Sequence, residues 1–336
     1  MITVFRWNAA TQQGEWLEPE ALRRSGHLPD GAQDVWWVNL DHPDPREESL
    51  VFHDFMSIHA LTLEDITKPR REPDVPVHLP KVEEFPDYLF VIVNALFDTE
   101  QPFSRHHGAR QLSAILTENV LITHHYDSLP SIVQLRQYLL KHDSQAARGP
   151  DYLFHIILDA MVDEFAPLLD QLTDRLDSIE NEVFGKPTPR LLADMLEVKQ
   201  AVVHLRKTLI LEREVLARLT RGEFSLIDER EIAYYRNVYD HLVRYSELIE
   251  SSREMVSDLM QSHLAAASNR LNEVMKALTM ISTIVLPMSL IAGVYGMNFK
   301  GWFPELDWHY GYPFALAVMC MTGLGTALLF RWRKWI

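Results

Sequence analysis

The chain has 336 residues, with 32 Lys+Arg against 47 Asp+Glu and a formal net charge of −15. Apolar residues make up 47% and charged residues 24%, which fits a folded protein and excludes a disordered, collagen-like or coiled-coil-only chain. Cys320 is the single cysteine, so a disulfide framework and multi-cysteine zinc or iron–sulfur centres are excluded, and the acidic balance argues against nucleic acid as a main partner.

Residues 1–150 read as a mixed α/β domain. The start is not a signal peptide, because Arg6-Trp7-Asn8 leads into a polar stretch instead of an apolar core. Runs rich in β-branched and aromatic residues predict strands at 35–40, 88–93, 111–116 and 120–124, the last two joined by Thr117-Glu118-Asn119. A helix is expected over 52–66, and Pro69, Pro73, Pro76 and Pro80 mark a loop. The adjacent pairs His106-His107 and His124-His125 are poor chelates, since neighbouring strand residues point to opposite faces.

Residues 151–276 read as helices. Apolar spacing predicts one helix over 152–183, ended by Gly185-Lys186-Pro187, and a second over 191–219, ended near Gly222. From 228 to 299 Pro287 is the only proline and no glycine precedes Gly293, a helical pattern of over 60 residues, about 90 Å at 1.5 Å per residue for 60 of them. So long a helix must pack on something, most simply on copies of itself. Leu242, Tyr245, Ile249, Val256 and Leu259 supply a heptad-like seam for that packing.

Residues 277–299 contain no Asp, Glu, Lys or Arg, and neither do residues 308–330; each run is 23 residues long. About 20 apolar residues cross the hydrocarbon core of a bilayer. A soluble core helix of that length normally keeps a charged face, so both runs read as membrane spans, separated by an outer loop at 300–307. The tail at 331–336 carries Arg331, Arg333 and Lys334 with Trp332 and Trp335, which places it on the cytoplasmic side at the interface. A hairpin returns to its starting side, so the N-terminal body is cytoplasmic too, and residues 1–276 carry −17 of the charge.

Carried into the first span, the heptad register is expected to read Asn272, Met275, Thr279, Ser282, Leu286, Ser289, Gly293 and Gly296, a small and polar face on an otherwise apolar helix. Such a stripe serves either close helix packing or a water-filled path. One hairpin cannot enclose a pore, so the second use requires several copies. Met275 and Leu286 would then form apolar rings able to dewet and close it.

Tyr295-Gly296-Met297-Asn298-Phe299 closes the first span, and its central tripeptide resembles the Gly-Met-Asn signature of the CorA-type magnesium channels. Leu63-Glu64-Asp65-Ile66, Pro80-Lys81-Val82-Glu83, Asp159-Ala160-Met161-Val162-Asp163, Asn272-Glu273-Val274-Met275-Lys276, Pro304-Glu305-Leu306, Gly311-Tyr312-Pro313 and the basic-aromatic tail are also similar to that family. The resemblance implies an α+β cytoplasmic domain of αβα type and a long stalk helix continuous with the first of two C-terminal transmembrane helices. It implies a homopentamer in the bacterial inner membrane with the first span around the pore.

It also implies the ion and the site. Mg²⁺ would pass with its waters, which it releases reluctantly, selected at a ring of Gly296, Met297 and Asn298; Co²⁺ and Ni²⁺ are further expected substrates. Asn272 would form an inner polar ring, and Met275, Leu278 and Leu286 match the family's constriction, whereas the heptad puts Thr279 on the axis. Glu305 and Asp307 would attract cations at the outer mouth, where Lys300 departs from the family's usual acid. Regulatory Mg²⁺ would bridge Glu64 and Asp65 of one subunit to Asn237 and Asp240 of the next, with Asp159 a further cytoplasmic acid; Asn237 stands where an Asp is usual. A Zn²⁺ transporter of the same superfamily, proton-coupled or not, is the alternative, and a non-conducting metal sensor is the third reading. No catalytic constellation is present, so an enzyme is not expected.

Overall fold

The computed structural model describes residues 1–25, 34–71, 77–95, 110–185, 187–297 and 308–335. It divides into two units, Met1–Met260 and Gln261–Ile336. The first is built on a seven-stranded sheet with strands β1 (Ile2–Asn8), β2 (Gln13–Leu17), β3 (Val35–Asp41), β4 (Lys81–Glu84), β5 (Leu89–Ala95), β6 (Arg110–Leu116) and β7 (Val120–His125). Their order is β2-β1-β3-β7-β6-β5-β4, with β3 and β7 parallel and every other pair antiparallel.

Side chains alternate across this sheet, and both faces are covered. Phe5, Trp37, Val91, Ala114 and Leu121 point to one side, and Val4, Trp36, Phe90, Ile115 and Ile122 to the other. The four strands expected from sequence are the near-continuous apolar ones, as burial on both faces requires. β1, β2 and β4 escaped notice: β1 carries Arg6 and Asn8 within its run, and β2 and β4 are edge strands, whose Gln13, Glu15, Lys81, Glu83 and Glu84 blunt the sheet against pairing with other chains.

One face is covered by α1 (Glu20–Ser25), α2 (Pro45–Ser49) with the π-helical turn Leu50–Phe55 that continues it, and α3 (Ala60–Arg71). The single helix expected over 52–66 is therefore two pieces. The chain turns extended at Met56, and the Tyr88 hydroxyl restarts the helix by accepting from the His59 amide at 3.0 Å and bonding Thr62 Oγ1 at 2.9 Å. The other face is covered by α4 (Pro130–Lys141), α5 (Pro150–Asp163), α6 (Phe165–Phe184), α7 (Leu191–Leu219) and the first part of α8 (Ile232–Tyr295). The helix expected over 152–183 breaks at Glu164. Pro167 has no amide hydrogen to give the Asp163 carbonyl, so the bond that would carry α5 into α6 cannot form.

The start of α8 is anchored by Arg148, at the end of a 3₁₀ turn, Asp143–Arg148. Its guanidinium reaches Glu231 Oε2 at 2.7 Å and lies 3.8 Å and 4.5 Å from the ring centres of Tyr152 and Tyr234. Asp151 adds to the same joint by accepting from the Asp228 amide at 2.9 Å, and its carbonyl accepts from the Tyr235 hydroxyl.

Two sequence expectations about α8 are corrected. Leu242, Tyr245, Ile249, Val256 and Leu259 are buried in one core with α6 and α7 of the same chain, so this seam is not a contact between copies. Nor does its register continue into the polar stripe. Counting in sevens from Leu242 and Tyr245 reaches Ile284 and Pro287, two residues out of phase with Thr279 and Ser282. A helix core and a polar stripe thus occupy different faces, and each has to be read by itself.

The second unit holds the rest of α8 and α9 (Gly311–Trp332), both long and apolar enough to cross a membrane. The two helices meet on small-to-large contacts. A Cβ added to Gly323 would come within 3.2 Å of Met288 Sδ, with Ile284 beside it, so glycine there permits close approach.

Candidate permeation face and cytoplasmic metal sites

Between Met280 and Tyr295 the half-buried residues of α8 are Met280, Ile284, Pro287, Met288, Ile291 and Tyr295. They form one face, and Ile284 and Met288 lie against α9. The stripe from Met275 to Gly296 lies on the opposite side, about 160° round the helix at 100° per residue. Asn272, Met275, Leu278, Thr279, Ser282, Leu286, Ser289, Gly293 and Gly296 are all exposed within the chain. The second helix therefore does not cover this stripe, and packing within one hairpin is not its use.

The stripe is partly satisfied from within. Thr279 Oγ1 donates to the Met275 carbonyl and Thr283 Oγ1 to the Thr279 carbonyl, each at 2.8 Å, which leaves hydroxyl lone pairs turned outward. Leu278, Thr279, Ser282, Thr283, Leu286 and Pro287 line a shallow open groove of about 370 Å³, so Leu278 and Thr279 share one concavity. A Cβ at Gly293 would meet nothing within 4 Å, so no contact inside this chain demands a glycine there. α8 ends at Tyr295, with the Gly296 amide still donating to the Ala292 carbonyl at 2.9 Å and Met297 just beyond. Asn298, Lys300, Glu305 and Asp307 lie outside the described residues, as do His106 and His107.

In the body, the expected regulatory residues are placed differently from one another. The Asp65 carboxylate, on α3, is bonded by Lys81 Nζ at 2.6 Å and faces His78 Nε2 at 3.0 Å. Burial works against charge on Lys81, but its bonds to Asp65 and Glu83 outweigh it and hold the ammonium above its ordinary pKa. Burial, aided by Lys68 and Lys81, lowers His78 and outweighs the pull of Asp65. Within one chain Asp65 is thus a neutralised acid, and Asn237 and Asp240 stand exposed on α8. The Glu64 carbonyl accepts from Arg71 Nη2 at 2.7 Å.

Asp159 has different company. Asp159 and Asp163, one turn apart on α5, bring their ligand atoms within 4.8 Å of one another and of His241 on α8. Burial first, and then the Asp163 charge, push Asp159 above the usual carboxylate range, and His241 pulls it back. His241 Nδ1 is sheltered from water, makes no hydrogen bond and lies 3.8 Å from Asp163 Oδ1. Sequence reading missed His241, since nothing local marks a residue that packs across from α5. Two carboxylates and an imidazole fit a divalent ion, and the nitrogen suits Zn²⁺, Co²⁺ or Ni²⁺ better than Mg²⁺. The His124-His125 pair behaves as strand geometry predicts: His124 faces Glu48, and His125 bonds Asn39 Oδ1.

The family model described as CorA-like Mg2+ transporter protein matches residues 32–334. The chain belongs to the CorA family. A cobalt/magnesium transport protein CorA of Thermotoga maritima is 33% identical over 306 residues, covering 89% of this chain and 83% of that protein. The complete structure of the CorA magnesium transporter from Methanocaldococcus jannaschii superposes with a TM-score of 0.81 at 21% identity, over 100% of this chain and 99% of that one. The ZntB cytoplasmic domain from Vibrio parahaemolyticus shares the fold, with a TM-score of 0.61 at 13% identity, covering 80% of this chain and 99% of that one. Like other CorA-family proteins, this chain is an integral membrane transporter of divalent cations and not an enzyme.

Proposed function

We propose that the chain assembles as a homopentamer in the bacterial inner membrane, both termini cytoplasmic, and conducts hydrated Mg²⁺ inward along the α8 stripe. The observation that carries this reading is the opposition of the two faces of α8: α9 lies against one, and the hydroxyl-bearing face is left for other copies and water. With no carboxylate between Ala277 and Phe299, nothing in the span can replace the ion's waters, so the filter at Gly296, Met297 and Asn298 holds the hydration shell. Met275, Leu278 and Leu286 close the path when it dries, and Glu305 and Asp307 gather cations outside. Voltage drives the ion, at about 4.6 kcal/mol for two charges per 100 mV. Co²⁺ and Ni²⁺ pass by the same route.

Gating rests on the cytoplasmic acids. Asp65, with Glu64, meets Asn237 and Asp240 of the neighbouring copy through regulatory Mg²⁺, which must displace Lys81 to reach the carboxylate. His241 beside Asp159 and Asp163 favours a second reading, transport of Zn²⁺, with or without protons, under control by a nitrogen-preferring ion at this cluster. Flux into liposomes, measured with Mg²⁺, Co²⁺ and Zn²⁺ separately and with or without a proton gradient, tests both. Mg²⁺ flux indifferent to the gradient is expected; Zn²⁺ flux alone would transfer the assignment, and no flux at all would leave a sensor.

A further inference from the structure

The two apolar segments end on the same cluster. Lys276 is the last charge before the first uncharged run, and Arg331 the first after the second. From those residues each helix runs close to 30 Å, the depth of one hydrocarbon core, so both cations belong at one membrane surface. The chain then turns back instead of continuing. Lys334 adopts a left-handed conformation, with φ 57°. Its amide donates to the Arg331 carbonyl at 3.1 Å, and the Trp335 amide to the Phe330 carbonyl at 2.9 Å, closing α9 with a tight reversal. This brings the Trp335 ring flat onto Phe330, 5.6 Å between centres at 12°, and under Lys276 Nζ at 5.9 Å.

The result is a surface that gathers Lys276, Arg331, Arg333 and Lys334 beside two exposed indoles, Trp332 and Trp335. Among the described residues none of the four cations forms a salt bridge. Lys276 has the Trp335 ring and Arg333 the Trp332 ring, but a ring compensates a cation only in part. Cations gathered at the edge of hydrocarbon are stabilised by a counter-charge that lies in the same plane and tolerates apolar neighbours. A phospholipid phosphodiester meets both conditions, because guanidinium and indole N–H groups donate to its oxygens while its chains run down the helices.

We propose that Lys276 and the reversed C-terminal turn form a binding surface for anionic phospholipid headgroups in the leaflet that faces the body. The Trp335 ring joins the two helices at headgroup depth, so an anionic lipid bridging Lys276 to Arg331 and Lys334 holds the start of the apolar segment of α8 to the C-terminal end of α9. This depends on membrane insertion and not on which ion is carried.

The test places the full-length chain in nanodiscs of phosphatidylcholine alone or mixed with phosphatidylglycerol, and reads the lipids retained by native mass spectrometry together with the thermal midpoint. Phosphatidylglycerol should be retained several-fold over phosphatidylcholine and raise the midpoint. The variant K276Q/R331Q/R333Q/K334Q should lose both effects, and W335A, with every cation kept, should lose most of the midpoint rise while retaining lipid. If the fourfold variant does not insert, R333Q/K334Q, which leaves both flanking cations, is expected to roughly halve the retention. Equal retention of the two lipids, or unchanged selectivity in the charge-removing variants, would overturn the proposal. Displacement of phosphatidylglycerol by inorganic phosphate would also overturn it, by assigning the surface to a free anion.

Discussion

In the αβα body, one buried polar network is closed inside a single chain. Trp37 Nε1 donates to Thr123 Oγ1 at 2.9 Å, Thr123 Oγ1 to Asn39 Oδ1 at 2.8 Å, and His125 Nε2 lies 3.1 Å from the same Asn39 oxygen. Both sheet faces carry their own helices. Beyond Gln261, α8 has one half-buried face, while Leu278, Ile281, Ser282, Leu286 and Ser289 are left exposed. The sheet of the body is covered within one chain, whereas one side of the hairpin is left for lipid and further copies. Function follows that division, since the surface a chain cannot cover by itself is the one available to line a path.

The comparison breaks most sharply at the filter. Asn298→Ala should abolish Mg²⁺ uptake while the oligomer persists on size exclusion; normal uptake by an intact oligomer would remove Asn298 from the filter. Within α8 the two faces should separate. Thr279→Leu should cut flux about tenfold, the equivalent of ~1.4 kcal/mol on the barrier, whereas Ile284→Leu on the packed face should change it far less. Equal losses at the two positions would mean that the faces have been assigned the wrong way round.

The body should break through stability and not through conduction. Arg148→Ala leaves Glu231, which is almost fully buried, without its partner, and should lower the stability of the body by about 3 kcal/mol in denaturant unfolding. Glu212 offers a pH-dependent counterpart. Its carboxylate on α7 is buried and, among the described residues, accepts the Asn94 amide, so burial pushes it up to about 8. An acid raised on folding costs nothing below its unfolded pKa and progressively more as pH climbs from there toward 8. The wild-type unfolding free energy should therefore fall from roughly pH 4.5 to pH 8, by the order of 5 kcal/mol in total, and Glu212→Gln should flatten that slope. An unchanged slope would show that Glu212 ionises without penalty.

Most of this division can be read in the sequence, for identifiable reasons. The uncharged runs and the strands β3, β5, β6 and β7 announce themselves because burial on all sides leaves little room for charge, whereas β1 is interrupted by Arg6 and went unread. The edge strands β2 and β4 do not, because they are polar for the same reason that they lie at an edge. Pro167 was a legible break in the helix expected over 152–183, and its effect on the Asp163 carbonyl was the missed signal. The polar stripe was tied to the wrong register, since 37 residues separate Leu242 from Thr279, two more than five heptads. Long-range pairings were not legible: neither His241 beside Asp163 nor Lys81 on Asp65 leaves a periodic trace.

That last pairing yields the smallest and most diagnostic effect. Asp65→Ala should make the channel less sensitive to inhibition by internal Mg²⁺, and unchanged inhibition would move sensing elsewhere. If Asp65 is a sensor, Lys81 competes with the metal for it, because one carboxylate cannot give the same lone pairs to an ammonium 2.6 Å away and to a divalent ion. Removing that competitor frees the acid without adding a ligand. Lys81→Met should then shift the inhibitory Mg²⁺ concentration downward about two- to fivefold, in line with the modest strength of a partly exposed ion pair. The opposite sign would show that Lys81 orients the carboxylate for metal instead of blocking it, and Lys81→Arg, which keeps the charge, should stay close to wild type under the competition reading. Measured side by side, Asp65→Ala and Lys81→Met must move inhibition in opposite directions if the two residues contest one site.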